Sequence, residues 1–245
     1  MNIISDRLIH ITSNRLNKRI ESKTMNNIKD YREKEQKMYI VANIFVLILL
    51  SSLADTLNYQ MPWLDILAKL VDTSLLSSTI YIFAFLADAL FSNGTKMRLL
   101  YLAGHLPGET IFSTLKRKNT DLRFSTDHLL EKYKEIYDGM PTDKRKKYRY
   151  ENDKWYRIYN HCRDVPMIFM SNRDYLLCRD LYISTIIIFI CYAISCSFLS
   201  VFYWNKQSGL YLIFMLIITN ISAHFKGKRF VMNVLAYDLH TDNKQ

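Results

Sequence analysis

Residues 181–204 read LYISTIIIFICYAISCSFLSVFYW, 24 positions without a charged side chain. As a helix rising about 1.5 Å per residue, the stretch is long enough to cross a hydrocarbon core of about 30 Å. Working outward, the short polar link Asn205–Gly209 leads to a second apolar run, Leu210–Phe225, which suits a return span. Toward the N-terminus lie Leu75–Phe91 and Tyr39–Ala54, the latter extendable to about Leu57 if Asp55 sits among headgroups. Four apolar helices in this order predict an all-α integral membrane protein. Its four transmembrane helices form two hairpins, with a mostly helical segment between them. The expected divisions are an N-terminal helix over 1–38, a first hairpin with an outer amphipathic helix over 39–93, a basic helical insert over 94–180, a second hairpin over 181–225 and a tail over 226–245.

Charge sets the expected orientation. Of the 33 Lys and Arg, only Lys69 and Lys206 fall in the connections Asp55–Ser74 and Asn205–Gly209. Positive loops stay inside, so both termini and the insert are expected in the cytoplasm and the protein in the inner membrane. The net charge of +10 follows from this geography. Residues 1–38 hold nine Lys and Arg and five acids with no apolar core, so no cleaved secretion signal is expected there. Ile4, Leu8 and Ile11 recur at helical spacing, and Asp30/Lys34 and Glu33/Lys37 are acid-then-base pairs four apart, the favourable order on a helix. In the outer connection Pro62, Trp63, Leu64, Leu67 and Val71 suggest a short interfacial helix, with Trp63 at the belt.

The insert is too long for a bare loop. Asp127 is placed to cap a helix bearing Leu129, Leu130, Tyr133, Ile136 and Tyr137, which Gly139 and Pro141 would stop. Trp155, Ile158 and Tyr159 suggest another helix, and Pro166 a break. Apolar residues are few for its length, so support from the membrane surface or a partner chain is expected. Four cysteines without a Cys-x-x-Cys pair give no disulfide framework and no zinc spacing, and neither metal nor cofactor is expected.

Three groups of side chains are candidates for function. Asp88 is an acid within a span, where ionisable groups are costly. With Ser77 and Tyr81 it forms a polar stripe, and Asn220 and His224 on the fourth span sit at a similar depth, so the set reads either as a hydrated path or as helix-end polarity. Lys144, Arg145, Lys146, Lys147 and Arg149, interleaved with aromatics and followed by Trp155, suit an anionic partner: lipid headgroups, a protein surface, or a nucleic acid or nucleotide. Gly104-His-Leu-Pro-Gly-Glu109 is a shaped turn in which His105 and Glu109 lie four apart. With only six glycines there is little material for phosphate-cradling loops, and no serine-hydrolase or kinase signature is present.

The layout of two hairpins, cytoplasmic ends and a cytoplasmic helical segment resembles the four-span effector and accessory proteins of prokaryotic antiviral defence systems. That resemblance implies a membrane-resident protein that answers a cytoplasmic partner or signal and perturbs the inner membrane by a pore or by depolarisation. It implies lipid, a second copy of the chain and a soluble cytoplasmic protein as partners. A passive anchor for a soluble partner is the alternative. Separately, Arg123-Phe-Ser-Thr-Asp-His128 resembles the Arg-x4-His pattern of HEPN ribonucleases, with Phe124 where that family carries a polar residue. That implies a membrane-bound enzyme using Arg123 and His128, with His105 and Glu109 as further candidates.

Overall fold

The computed structural model describes residues 30–50, 71, 78, 81–82, 85–86, 90–102, 104–197 and 204–241; these are mostly helical and include no strand. In chain order the helices are α1 (residues 30–50), α2 (Asn93–Leu100), α3 (Pro107–Arg117), α4 (Thr126–Lys132), α5 (Lys134–Asp138), α6 (Lys144–Cys162), α7 (Pro166–Ser197) and α8 (Lys206–Thr241). Two of them, α7 and α8, are long and apolar enough to cross a membrane. α7 holds the third expected span as far as Ser197, and α8 holds the fourth. The first expected span is described as far as residue 50, and the second only at scattered helical positions. The N-terminal helix over 1–29 and the outer interfacial helix lie outside the described residues.

Both long helices overrun the apolar stretches that located them. At 32 and 36 residues, α7 and α8 measure about 48 and 54 Å, well beyond a hydrocarbon core of about 30 Å. Pro166 begins α7, where its missing N–H would be unpaired anyway. Residues 226–241, expected as a tail, instead continue α8. The reason is a second apolar stripe, Phe230, Val231, Val234, Leu235 and Leu239, which is buried along one side of the helix. This stripe supplies the apolar surface that the insert lacks by itself.

Two hydrophobic cores result, strung along the same pair of helices. The larger joins Phe112 and Leu115 of α3, Leu129 of α4, Trp155 of α6 and Ile168 of α7 to the α8 stripe. The smaller joins Ile40, Ile44 and Leu47 of α1, Ile183, Ile187 and Tyr192 of α7 and Leu212 of α8. Around the smaller core, Val41, Phe45 and Leu49 of α1, Ile190 and Ile194 of α7 and Ile213, Phe214, Ile217 and Ile221 of α8 face outward. So wide an exposed apolar belt marks contact with lipid or another apolar partner.

Local chemistry sets the helix ends in the larger unit. Ser125 caps α4, its hydroxyl accepting from the His128 N–H at 3.2 Å, so Asp127 lies in the first turn and is not the cap. The single helix expected there divides at Tyr133 into α4 and α5, which places the Tyr133 hydroxyl against Asp238 (2.7 Å). Lys132 also pairs with Asp238, at 3.0 Å. The basic run is the first turn of α6 rather than a separate segment, because the Asp143 side chain caps it by accepting from the Lys146 N–H at 2.9 Å.

Candidate functional site

Between the two cores lies a buried ionic joint. Asp180 and Arg179 are each 1% exposed. One carboxylate oxygen of Asp180 accepts from Nε and Nη2 of Arg179 at 3.0 and 2.7 Å. The other accepts from Arg32 of α1, with Nε at 3.1 Å and Nη2 closer. Lys96 of α2 places Nζ 3.8 Å from the same carboxylate, and Arg179 Nη2 donates to Asn93 at 3.2 Å. One acid therefore ties α1, α2 and α7 together, each of its oxygens accepting from two nitrogens of one guanidinium. Hydrogen bonds between ionised partners of this kind are about twice as strong as neutral ones. Asp180 is the last charged residue before the apolar run of α7, so the joint sits where the apolar half of that helix begins.

From the joint into the smaller core the helices are stitched by neutral hydrogen bonds. Gln36 donates to Ser184 at 3.0 Å. Tyr39 and Thr185 are 2.7 Å apart; Thr185 already donates to the Leu181 carbonyl, so Tyr39 is the donor. Arg32 with Asp180 and Gln36 with Ser184 keep one sequence offset, so α1 and α7 run parallel. The Tyr211 hydroxyl of α8 donates to Asn43 at 2.9 Å, and Asn205 donates to the Leu50 carbonyl at 3.1 Å, which sets α1 antiparallel to α8. In an apolar surround such interhelical bonds fix register where packing alone would permit sliding.

The candidates read from sequence are dispersed. Asp88 and Ser77 lie outside the described residues. Tyr81 is helical and packs against the smaller core. His224 is bonded within its own helix, Nδ1 to the Asn220 carbonyl at 2.9 Å, and its ring meets the Tyr101 ring edge-on at 4.7 Å. Gly227 lets Tyr101 and Tyr175 close on α8, since a Cβ there would come within 2.6 Å of the Tyr101 hydroxyl and 2.9 Å of the Tyr175 ring. Lys144, Arg145, Lys146 and Arg149 are exposed and Lys147 half-buried. Trp155 leaves that basic face altogether. It is 7% exposed, stacked on Tyr159 at 5.6 Å and edge-on to Phe230 at 5.4 Å, and its indole N–H points to the Val231 carbonyl at 3.4 Å.

The enzyme candidates hold structural posts. Glu109 accepts from the Leu106 N–H at 3.0 Å and closes the start of α3, and His105 lies 3.7 Å from it under the Tyr148 ring. Arg123 uses its guanidinium on Asp121 at 2.6 Å and on Asn233 of α8 at 2.8 Å. The Asp121 carboxyl is held below its ordinary value chiefly by that hydrogen bond. Asn233 in turn donates to Ser171 of α7 at 3.1 Å, so Arg123 fastens a loop to the two long helices. His161 bonds its own helix at the Arg157 carbonyl, 2.7 Å away. Among the described residues no three of His, Cys, Asp and Glu are grouped to hold a metal. The Cys162 thiol is pushed up to about 11 by burial and then by the Asp238 charge, which keeps it protonated at neutral pH.

Two features escaped the sequence reading. One is the joint itself, whose only local sign is an Arg-Asp pair abutting the apolar run. The other is Glu151, fully buried in α6, which accepts from the Ser113 N–H at 3.0 Å and from the Ser113 hydroxyl. No family model, curated protein or solved structure matches the chain.

Proposed function

We propose that the protein is a four-span, membrane-resident effector or accessory of the kind that serves prokaryotic antiviral defence. Both termini and the larger core face the cytoplasm, and the smaller core lies in the inner membrane. The observation that carries the proposal is the continuity of α7 and α8, each contributing to a polar-surfaced core at one end and to a belt of outward apolar side chains at the other. A signal received by the cytoplasmic core reaches the membrane helices without crossing a flexible linker, because the joint at Asp180 locks α1 and α2 to α7. An element of this kind passes a change on only if its two arrangements differ in contact energy, and the buried ion cluster is where such a difference is concentrated.

Reporter fusions after Lys37, within the insert and at Gln245 are expected to report cytoplasm, and a fusion at Asn58 or Gln207 the outside. Expression with an activating partner is expected to depolarise cells or arrest growth, and Asp88→Asn to change that response with insertion unaltered. An outside signal from the insert would overturn the topology. Retained membrane potential under verified activation would favour a passive anchor.

A further inference from the structure

We infer that the basic N-terminal end of α6 docks on the anionic headgroups of the leaflet facing the larger core. This rests on the membrane reading above and assigns one partner to a face that the sequence leaves open among three. The argument is directional. Trp155 and Tyr159 of α6 meet Phe230, and Tyr159 accepts from Asn172 of α7 at 3.1 Å. The C-terminal end of α6 then turns through Arg163–Val165 into Pro166, at the start of α7 and far from the apolar belt. At the other end Tyr148 lies on His105, at 4.0 Å, only four residues beyond Tyr101, which contacts His224 near the base of the apolar half of α8. The helix therefore points its first turn toward the membrane.

Distance agrees with direction. From Trp155 back to Lys144 is 11 residues, about 16 Å of helix. If α6 and α8 cross at about 50°, common for packed helices, about 11 Å of that lies along the α8 axis. Val231, which faces Trp155, is about 9 Å from Phe225, the end of the apolar run. Lys144, Arg145 and Lys146 thus stand at headgroup level. Positive charge is also in excess at this end of the helix. Lys144, Arg145 and Lys146 fill the first turn of a helix, where the macrodipole is positive, and the single Asp143 carboxylate that caps this turn, accepting from the Lys146 N–H, offsets only part of that charge. Arg149 is exposed one turn further on, with the exposed Asp153 four residues after it, whereas Glu151 is fully buried. A surface of anionic headgroups complements the positive charge that remains over the run.

The test uses the full chain in lipid discs, made either of phosphatidylcholine alone or of phosphatidylcholine and phosphatidylglycerol in equal parts. Acylation of Lys144 and Lys146 by an amine-reactive reagent is read by mass spectrometry. Lys134 is the reference, exposed beside the Tyr133–Asp238 contact at the far end. Phosphatidylglycerol is expected to slow labelling of Lys144 and Lys146 about fivefold relative to Lys134. Molar salt should cancel the effect. Arg145→Glu with Arg149→Glu, both exposed and so compatible with folding, should also abolish it while leaving the lysines as reporters. Equal labelling in the two discs overturns the inference, as does protection that needs added single-stranded RNA or a soluble protein. Failure of the chain to co-elute with either disc instead sinks the membrane reading beneath it, and this inference with it.

Discussion

Asp180→Ala is expected to destabilise the folded protein by about 3–5 kcal/mol, the usual cost of removing one partner from a buried ion pair. The carboxylate is almost wholly enclosed and receives both Arg179 and Arg32, with Lys96 close by. Its loss strips the acceptor from two guanidinium groups, of which Arg179 is as buried as Asp180 itself. In detergent the melting temperature should fall by about 10 °C. Asp180→Asn, which keeps the shape but removes the charge, should lose most of the same stability. A double-mutant cycle locates the effect: Arg32→Ala should cost much less once Asp180 has been removed than it does alone. An unchanged melting temperature for Asp180→Ala would mean that the acid does not hold α1 and α2 to α7.

The sequence disclosed the elements whose signal is local. The apolar runs place α7 and α8, Pro141 and Gly139 close α5, and Pro166 opens α7, each through backbone chemistry that needs no distant partner. What remained hidden depends on pairing across the chain. Arg32 and Asp180 are 148 positions apart, and nothing in either neighbourhood names the other. The tail was misread for a related reason. Residues 226–241 begin with Lys226, Lys228 and Arg229, which announce the end of a span, yet the apolar stripe beyond them is long enough to continue the helix and complete the larger core. The candidate site fared unevenly. Exposed cations are legible because charge alone keeps them on the surface. An indole in a basic run reads equally well as a stacking platform or as core, and only the partner across α8 decides which.

Trp155→Ala tests that decision, with an expected loss of about 3–5 kcal/mol for deleting a buried aromatic side chain. The indole fills the space between α6 and α8. It is parallel to Tyr159 within 4°, perpendicular to Phe230 at 85°, and covered by α3, where Gly108 allows the backbone to pass so closely that a Cβ would meet the ring at 3.1 Å. Truncation leaves a cavity that three helices must collapse to fill, and also removes the N–H that reaches the Val231 carbonyl. Trp155→Phe retains most of the apolar area and should cost less than half as much. At exposed positions of the same helix, Arg145→Glu with Arg149→Glu should alter stability by about 0.5 kcal/mol or less, as exposed substitutions usually do. Thermal unfolding of the three variants in one detergent separates the two roles. The core reading requires the alanine variant to melt far below both others. If Trp155→Ala melts like the parent and instead weakens association with anionic discs, the indole belongs to the docking face, and the packing of α6 against α8 is wrong.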